Sequence, residues 1–400
     1  MSDPLEGLDG VDWAGLDHAY GSAEDVPGLL RTLRSPDREE RHEAFGELFT
    51  NIYHQGSRYT ASAAAVPFLL ALAADPGTPD RAYPLYLATA LAIGFDEAHL
   101  PAGVAIADWR DAVARTAAAD PEAEERRLDA WVAGAADDHE RRNREFKRKM
   151  YDFDHARRAA EAELAAYDAV RAGLPTVRAL LTDADDGVRA TAAYTVGWFP
   201  EESAASLAVL GPMLGTERHP EVAMSALIST GLLDGRDHLP LIRERLAGDE
   251  PGPRWAAAVA LARLGEPGPR VLAELTACCV SPPEAETDFL SGDLSLLSHM
   301  TLAALDDPPA EAVDAVLEGL ARTSDNRSFP VAEVALKMVF GTPVRPLPPF
   351  ADLTAVQQRA VRTIAELPSD SWRWGNLLGI LGTWGVPADH DECRRYAGLA

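Results

Sequence analysis

A fixed interval constrains this chain more than any other feature. Three apolar runs, VRATAAYTVG from Val188, VAMSALISTG from Val222 and AAAVALARLG from Ala256, each close on a glycine, at Gly197, Gly231 and Gly265. Both intervals are 34 residues, and a period of that order marks stacked repeats. Laid over one another, the runs align Val188, Ala192, Ala193 and Val196 with Val222, Ala226, Leu227 and Thr230, and with Ala256, Ala260, Leu261 and Leu264. Those offsets put small apolar side chains on one helical stripe, so neighbouring helices can approach closely. A glycine after each run predicts a left-handed residue at the helix end.

Ahead of each run lies another apolar stretch and a polar break: 174–181 before DADDG, 207–214 before GTERHP, 239–246 before AGDEPGP. The unit is helix, turn, helix, and a lone pair leaves an apolar flank that its neighbours must cover. The same rhythm pairs 26–33 with 42–53, 61–73 with 83–93, 268–280 with 294–305, 309–321 with 330–340, and 353–367 with 372–381. The expected fold is all-α, an α-α superhelix of antiparallel helix pairs with a charged helical insertion. VDWAGLDHAYG reads as a short capping helix with Trp13 and Leu16 inward, HQGSRY as a loop, and CRRYAGLA as a terminal cap. The rhythm fails between 96 and 170, which divides the chain into N-terminal repeats with a cap (1–95), the insertion (96–170) and C-terminal repeats with a cap (171–400).

The segment LLTDADDGVRA from Leu180, with acids in the turn and Val188-Arg189 opening the second helix, resembles the short HEAT-like repeat of the bilin-lyase type. In that reading an acid caps the helix start and the arginine pairs with acids of an adjacent repeat. Two further stretches, NIYHQGSRYTASAAAVPFLLAL (51–72) and LTAVQQRAVRTIAELPSDSWRWGNLLGILGTWGVP (353–387), resemble the opening and closing segments of a group of bacterial HEAT-repeat proteins. The resemblance implies a helical solenoid and names no activity. The alanine-rich, arginine-over-lysine composition suggests a high-GC bacterium.

A chain of 400 residues is long for one compact core, but a solenoid grows by repetition. The net charge of -26 disfavours a nucleic-acid binder, which needs cations facing phosphate, and suits a neutral or basic partner. Three cysteines, two of them adjacent, make no disulfide framework. The N-terminus lacks a basic and apolar leader, and no apolar run reaches the length of a membrane span, so the expected compartment is the cytoplasm. The one strong basic cluster, Arg141, Arg142, Arg144, Lys147, Arg148 and Lys149, lies in the insertion. It reads either as a solvated helix face held by charge pairs or as a cationic arm that docks a partner.

If the second helices line a groove, their non-core side chains are displayed there: Thr191, Thr195 and Trp198; Ser225 and Ser229; Arg263; earlier, Tyr53, His54 and Tyr86; and last, Trp372, Trp374 and Asn376. Aromatic rings with hydroxyls and an arginine are what a binding surface uses. Catalytic signatures are lacking. DHDEC at 389–393 has ligand-type residues without metal-site spacing, GEPGPR at 265–270 lacks the Lys-Ser/Thr of a phosphate loop, and His299 with Asp306 and Asp307 reads as polar residues of the surface rather than a catalytic group. The expectation is therefore a non-enzymatic scaffold for a protein partner, with no cofactor and no metal. Two alternatives stay open: a HEAT-fold enzyme acting on a small molecule or a nucleic-acid base, and an immunity- or antitoxin-type inhibitor of a basic protein.

Overall fold

The structure is a computed structural model that describes residues 3–135 and 138–399. Met1, Ser2, Ala136, Asp137 and Ala400, which fall within the expected domain spans, lie outside the described residues. The chain is all-α, built of stacked helix pairs, and it divides into two compact units: Met1–Asp96 with Val104–Pro200, and Glu97–Gly103 with Glu201–Ala400.

In the first unit one layer holds α1 (Val26–Thr32), α3 (Thr60–Ala74) and α8 (Phe153–Leu180). The second layer holds α2 (Arg38–Asn51), α4 (Ala82–Ile93) and α9 (Asp186–Val196). α5 (Ile106–Ala118) packs on α8, and α6 (Pro121–Ala133) pairs with α7 (Asp138–Met150). In the second unit α10 (Ser203–Thr216), α12 (Leu239–Ala247), α14 (Pro269–Val280), α16 (Ala310–Ala321) and α18 (Ala355–Ala365) are the first helices of successive helix-turn-helix segments. The first four pair with α11 (Pro220–Leu232), α13 (Pro251–Arg263), α15 (Leu294–Ala303) and α17 (Ser328–Phe340), whereas α19 (Gly375–Trp384) follows α18 but packs on α17, and α20 (His390–Tyr396) closes on α18.

The N-terminal segment is not the expected capping helix. It forms short 3-10 turns at Leu8–Gly10 and Trp13–Gly15 and a two-stranded hairpin, β1 (Asp17–His18) with β2 (Gly21–Ser22). Trp13 does point inward, donating its indole N–H to the Leu8 carbonyl at 2.9 Å, whereas Leu16 is only half-buried. HQGSRY is likewise a hairpin, β3 (Tyr53–His54) with β4 (Ser57–Arg58). Its central residues Gln55 and Gly56 both have positive φ, 51° and 84°, the backbone that a two-residue turn between twisted strands requires.

The helix expected to start at 174 begins at Phe153. Its apolar stripe simply continues upstream through Ala162, Ala166, Tyr167 and Val170, all buried. A Val/Leu-Pro step explains the sequence signal. Val26-Pro27 and Leu239-Pro240 open α1 and α12, where a missing N–H costs nothing. The matching prolines Pro67 and Pro175 sit inside α3 and α8, because those helices extend past the step.

Of the three periodic glycines only Gly265 is left-handed, at φ 80°. Gly197 is right-handed. Gly231 lies within α11, where a Cβ would stand 2.9 Å from the Ala260 Cα of α13. It is a packing glycine, and Asp234 (φ 56°) makes the turn instead. Gly173 serves the same purpose at the α8–α3 crossing, facing Leu70.

The turns are locked by charge. Asp185 caps α9 by accepting the Val188 N–H at 3.2 Å. Arg189 reaches back to the carbonyls of Asp183 and Ala184 at 2.8 and 3.4 Å. Arg41 in α2 does the same to Ser35 and Pro36, and Arg254 in α13 to Gly248 and Asp249. Arg189 also donates to Asp186 of its own turn, at 2.6 Å. Arg81 links to Asp183 of the following repeat in two hydrogen bonds of 2.8 and 2.6 Å. Both side chains are largely buried.

The Arg81 hydrogen bonds hold the Asp183 carboxyl below its ordinary value, against a smaller opposing effect of burial. A depressed folded value means stability that is present above the unfolded value and lost as pH falls through the folded one. Asp183→Asn should therefore cost about 2 kcal/mol at neutral pH and shrink the difference from wild type in acid, read by urea midpoints at pH 7 and pH 3. Gly231→Ala should lower the urea midpoint by the equivalent of about 1–3 kcal/mol, although alanine is the better helix former by about 1 kcal/mol. An unchanged midpoint would mean that α11 and α13 can separate freely.

Candidate partner-binding surface

The second-layer helices of the first unit carry a continuous run of aromatic rings. On α2, Phe45 and Phe49 are one turn apart with ring centroids at 5.9 Å. Tyr83 of α4 stacks on Phe45 at 5.1 Å, and His42 touches Tyr83 edge-on at 6.1 Å. Phe49 meets Tyr53 at 4.8 Å and lies parallel to Tyr86 at 6.4 Å. Tyr86 stacks on Tyr194 of α9 at 6.1 Å, and Tyr194 meets Trp198 at 5.5 Å. Phe95 closes the lower side, 6.1 Å from Tyr53.

Burial grades along this wall. Trp198 is fully covered and Tyr194 and Tyr53 nearly so, whereas Tyr83 is 39% and Phe95 56% exposed. Phe45, Phe49 and Tyr86 are half-buried. The buried rings anchor the outer ones, which stand in water with their faces already ordered. Burial raises the Tyr53 phenol well above its usual range, and the Tyr194 hydroxyl donates to Asp96 at 3.3 Å. Glu39 and Glu43 continue the exposed side of α2 beyond His42.

The β3–β4 hairpin is fastened beneath the wall by Arg58. Its guanidinium donates to the Gly56 carbonyl, pairs with Glu163 of α8 at 3.3 Å and lies over Trp109. Burial lowers the Arg58 value and raises that of Glu163, with each charge opposing the shift of the other. The site above is therefore held by a desolvated ion pair rather than by loop chemistry. His54 is half-buried, 3.4 Å from the Tyr20 hydroxyl.

Tyr53, Tyr86 and Trp198 of the expected set are thus brought together, but Tyr53 and Trp198 are buried and only Tyr86 is half-buried, with His54 beside the hairpin turn. Thr191, Thr195, Ser225 and Ser229 are not displayed as expected. Thr191 and Thr195 are buried between helices, where Thr195 bonds the Thr191 carbonyl at 2.7 Å and Thr89 of α4 at 2.6 Å. Ser225 and Ser229 are fully buried in α11. Thr195 faces the neighbouring α4 rather than an open side. In the second unit the segment 97–103 adds cover, and Arg263 donates to the Ala102 carbonyl there at 2.7 Å. Arg263 also lines a cleft of about 840 Å³ with Thr301, Asp306, Asp307 and Lys337.

Trp372 stacks on His390 at 4.7 Å, which makes it part of the α20 contact. Trp374 is 40% exposed and donates to Asp325 at 2.5 Å, and Asn376 is exposed beside it. His299 is fully buried rather than on the surface. Its Nδ1 lies 2.6 Å from the Ser295 carbonyl and burial lowers its value, so the ring is neutral at pH 7. Burial pushes the Cys278 and Cys393 thiols up to about 12, which leaves them unreactive. Among the described residues no group of three or more His, Cys, Asp or Glu is placed to hold a metal ion.

The reading from sequence missed Phe45, Phe49, Tyr83, Tyr194 and Phe95. The signal for α2 was present, since His42, Phe45 and Phe49 recur at helical spacing. Spacing of that kind marks one helix face without telling an exposed ring from a core one.

The basic cluster divides in two. Arg144 pairs with Glu140 at 2.7 Å and lies over Trp131, Arg148 pairs with Asp129 at 3.0 Å, and Arg141 with Asp138 at 3.1 Å. Arg144 and Arg148 bind α7 to α6. Arg142, Lys147 and Lys149 are exposed.

No helix among the described residues is long and apolar enough to cross a membrane. No curated protein matches the chain. Among solved structures it is similar to an engineered protein solved in crystals by a structural-genomics consortium, at 18% identity over 94% of this chain and 98% of that one. The TM-score of 0.25 is too low for that likeness to bear on the fold. A family model described as HEAT repeats matches residues 150–230. The matched stretch, from α8 into α11, is where this chain is similar to HEAT repeats.

Proposed function

We propose that this chain is a non-enzymatic scaffold of the cytoplasm that binds a protein partner through the aromatic wall of its first unit. HEAT repeats generally serve as protein-interaction scaffolds, and the matched stretch includes α9, one end of the wall. The observation that carries the reading is the graded ring run from buried Trp198 to exposed Tyr83 and Phe95. Rigid rings lose little conformational freedom on binding, and such anchors supply most of the affinity at protein interfaces. Exposed Glu39 and Glu43 next to rings favour a partner that presents arginine or lysine, through ion pairs and cation–π contacts. A basic toxin held by an inhibitor of the immunity type is one such partner.

The test is affinity capture from the source cell with wild type and with Phe45→Ala/Tyr83→Ala. Phe45 is half-buried, so the double variant should lose about 1–3 kcal/mol of stability and remain folded, which urea unfolding checks before capture. A partner bound through the wall should be held at least about tenfold more weakly by the variant, and its binding should weaken with salt. Equal retention of every captured protein by both forms would end this reading.

A further inference from the structure

The outward face of α7 is the most exposed apolar surface among the described residues. Phe146 is 66% and Met150 68% exposed, one turn apart on the same side. Arg142 precedes Phe146 by a turn and Lys149 follows it by nearly one, so two cations flank the pair on the same face. This face is kept outward by the opposite one: Arg144 and Arg148 pair with Glu140 and Asp129, and Arg144 also reaches the Trp131 carbonyl and ring. The inner cations are spent on the α6–α7 hairpin, and the outer ones are not needed for it.

A helix face that joins Phe and Met to Arg and Lys requires a surface with rings and acids. The same chain carries one. The wall of α2 and α4 exposes Tyr83 beside half-buried Phe45, with Glu39 and Glu43 on the exposed side of α2. Arg and Lys bind over aromatic faces and beside carboxylates, and a methionine sulfur packs well on rings. We infer that α7 of one copy docks on the aromatic wall of a second copy. This rests on the wall being a binding surface, as proposed above, and it names a second copy of this chain as one occupant. If each copy can give and receive at once the result is a closed pair; otherwise the contact propagates from copy to copy.

Two variants test this, because each removes one half of the contact. Arg142→Glu/Phe146→Ala/Lys149→Glu alters only exposed side chains of α7 and spares Arg144 and Arg148. Phe45→Ala/Tyr83→Ala alters only the wall. In sedimentation velocity the wild type should self-associate, less so at high salt. Each variant alone should associate at least about tenfold more weakly. An equimolar mixture of the two variants should associate again, since the α7 variant keeps a wall and the wall variant keeps an α7. A wild type that stays monomeric overturns the inference, as does a wall variant that associates normally, which would seat α7 elsewhere. Binding of phosphatidylserine vesicles by wild type but not by the α7 variant, without self-association, would assign the face to a membrane and overturn it as well. If self-association fails while capture of another protein still depends on Phe45 and Tyr83, the wall reading stands and this inference alone falls. If neither depends on those rings, both fall.

Discussion

Close approach of the second helices is the constraint on which the rest of this structure depends. α9, α11 and α13 are apolar or small on nearly every side: residues 190–196, 222–232 and 255–262 are buried without a break. Such helices cannot stand alone in water, and they exist as helices because neighbours cover every face. The approach of α11 to α13 is close enough that Gly231 has no space for a Cβ beside Ala260. Alanine and glycine are therefore structural requirements here, and the alanine-rich composition follows from the packing.

Two polar devices hold the pairs in register. Within a pair, arginine at the fourth position after the N-cap returns to the turn carbonyls, in α2, α9 and α13 alike. Between pairs, an arginine meets an acid of the next turn or helix, as Arg81 with Asp183, Arg41 with Asp80 and Arg254 with Glu274. Charge-assisted bonds of this kind are directional where apolar packing is not. They set where along its neighbour a helix sits, which a uniform alanine surface would leave free to slide.

Where the stack admits no more small residues, large rings take over, and that is where a surface for other molecules emerges. Tyr194 and Trp198 fill space beside α4, and the ring run then continues outward through Tyr86 and Phe49 to Phe45 and Tyr83. The inner rings are core and the outer ones are surface, with no break between them. A rigid apolar surface of this kind binds without first having to order itself. The α6–α7 hairpin is built on the opposite principle, with few buried residues and ion pairs along its seam. That leaves Arg142, Phe146, Lys149 and Met150 of α7 exposed.

The helix-turn-helix rhythm, the acid at the α9 cap and the all-α class are legible in the order of the amino acids alone. These are properties of local spacing: a 3.6-residue stripe and a short polar side chain ahead of it are visible one segment at a time. The reading of Gly231 as a helix end failed, because a glycine that makes room for a neighbour looks the same in one dimension as one that makes a turn. Thr191, Thr195, Ser225 and Ser229 were assigned to an open surface for a related reason. Their place on the helix wheel is legible, but whether anything lies over that side depends on segments far away, such as α4 with its Thr89. Only the tertiary structure could bring Phe45, Tyr83, Tyr86 and Tyr194 together, since they come from three helices and meet through stacking across the second layer. Contact between distant helices is decided by which surfaces remain after every apolar flank has been covered, and no single stretch of the chain contains that information.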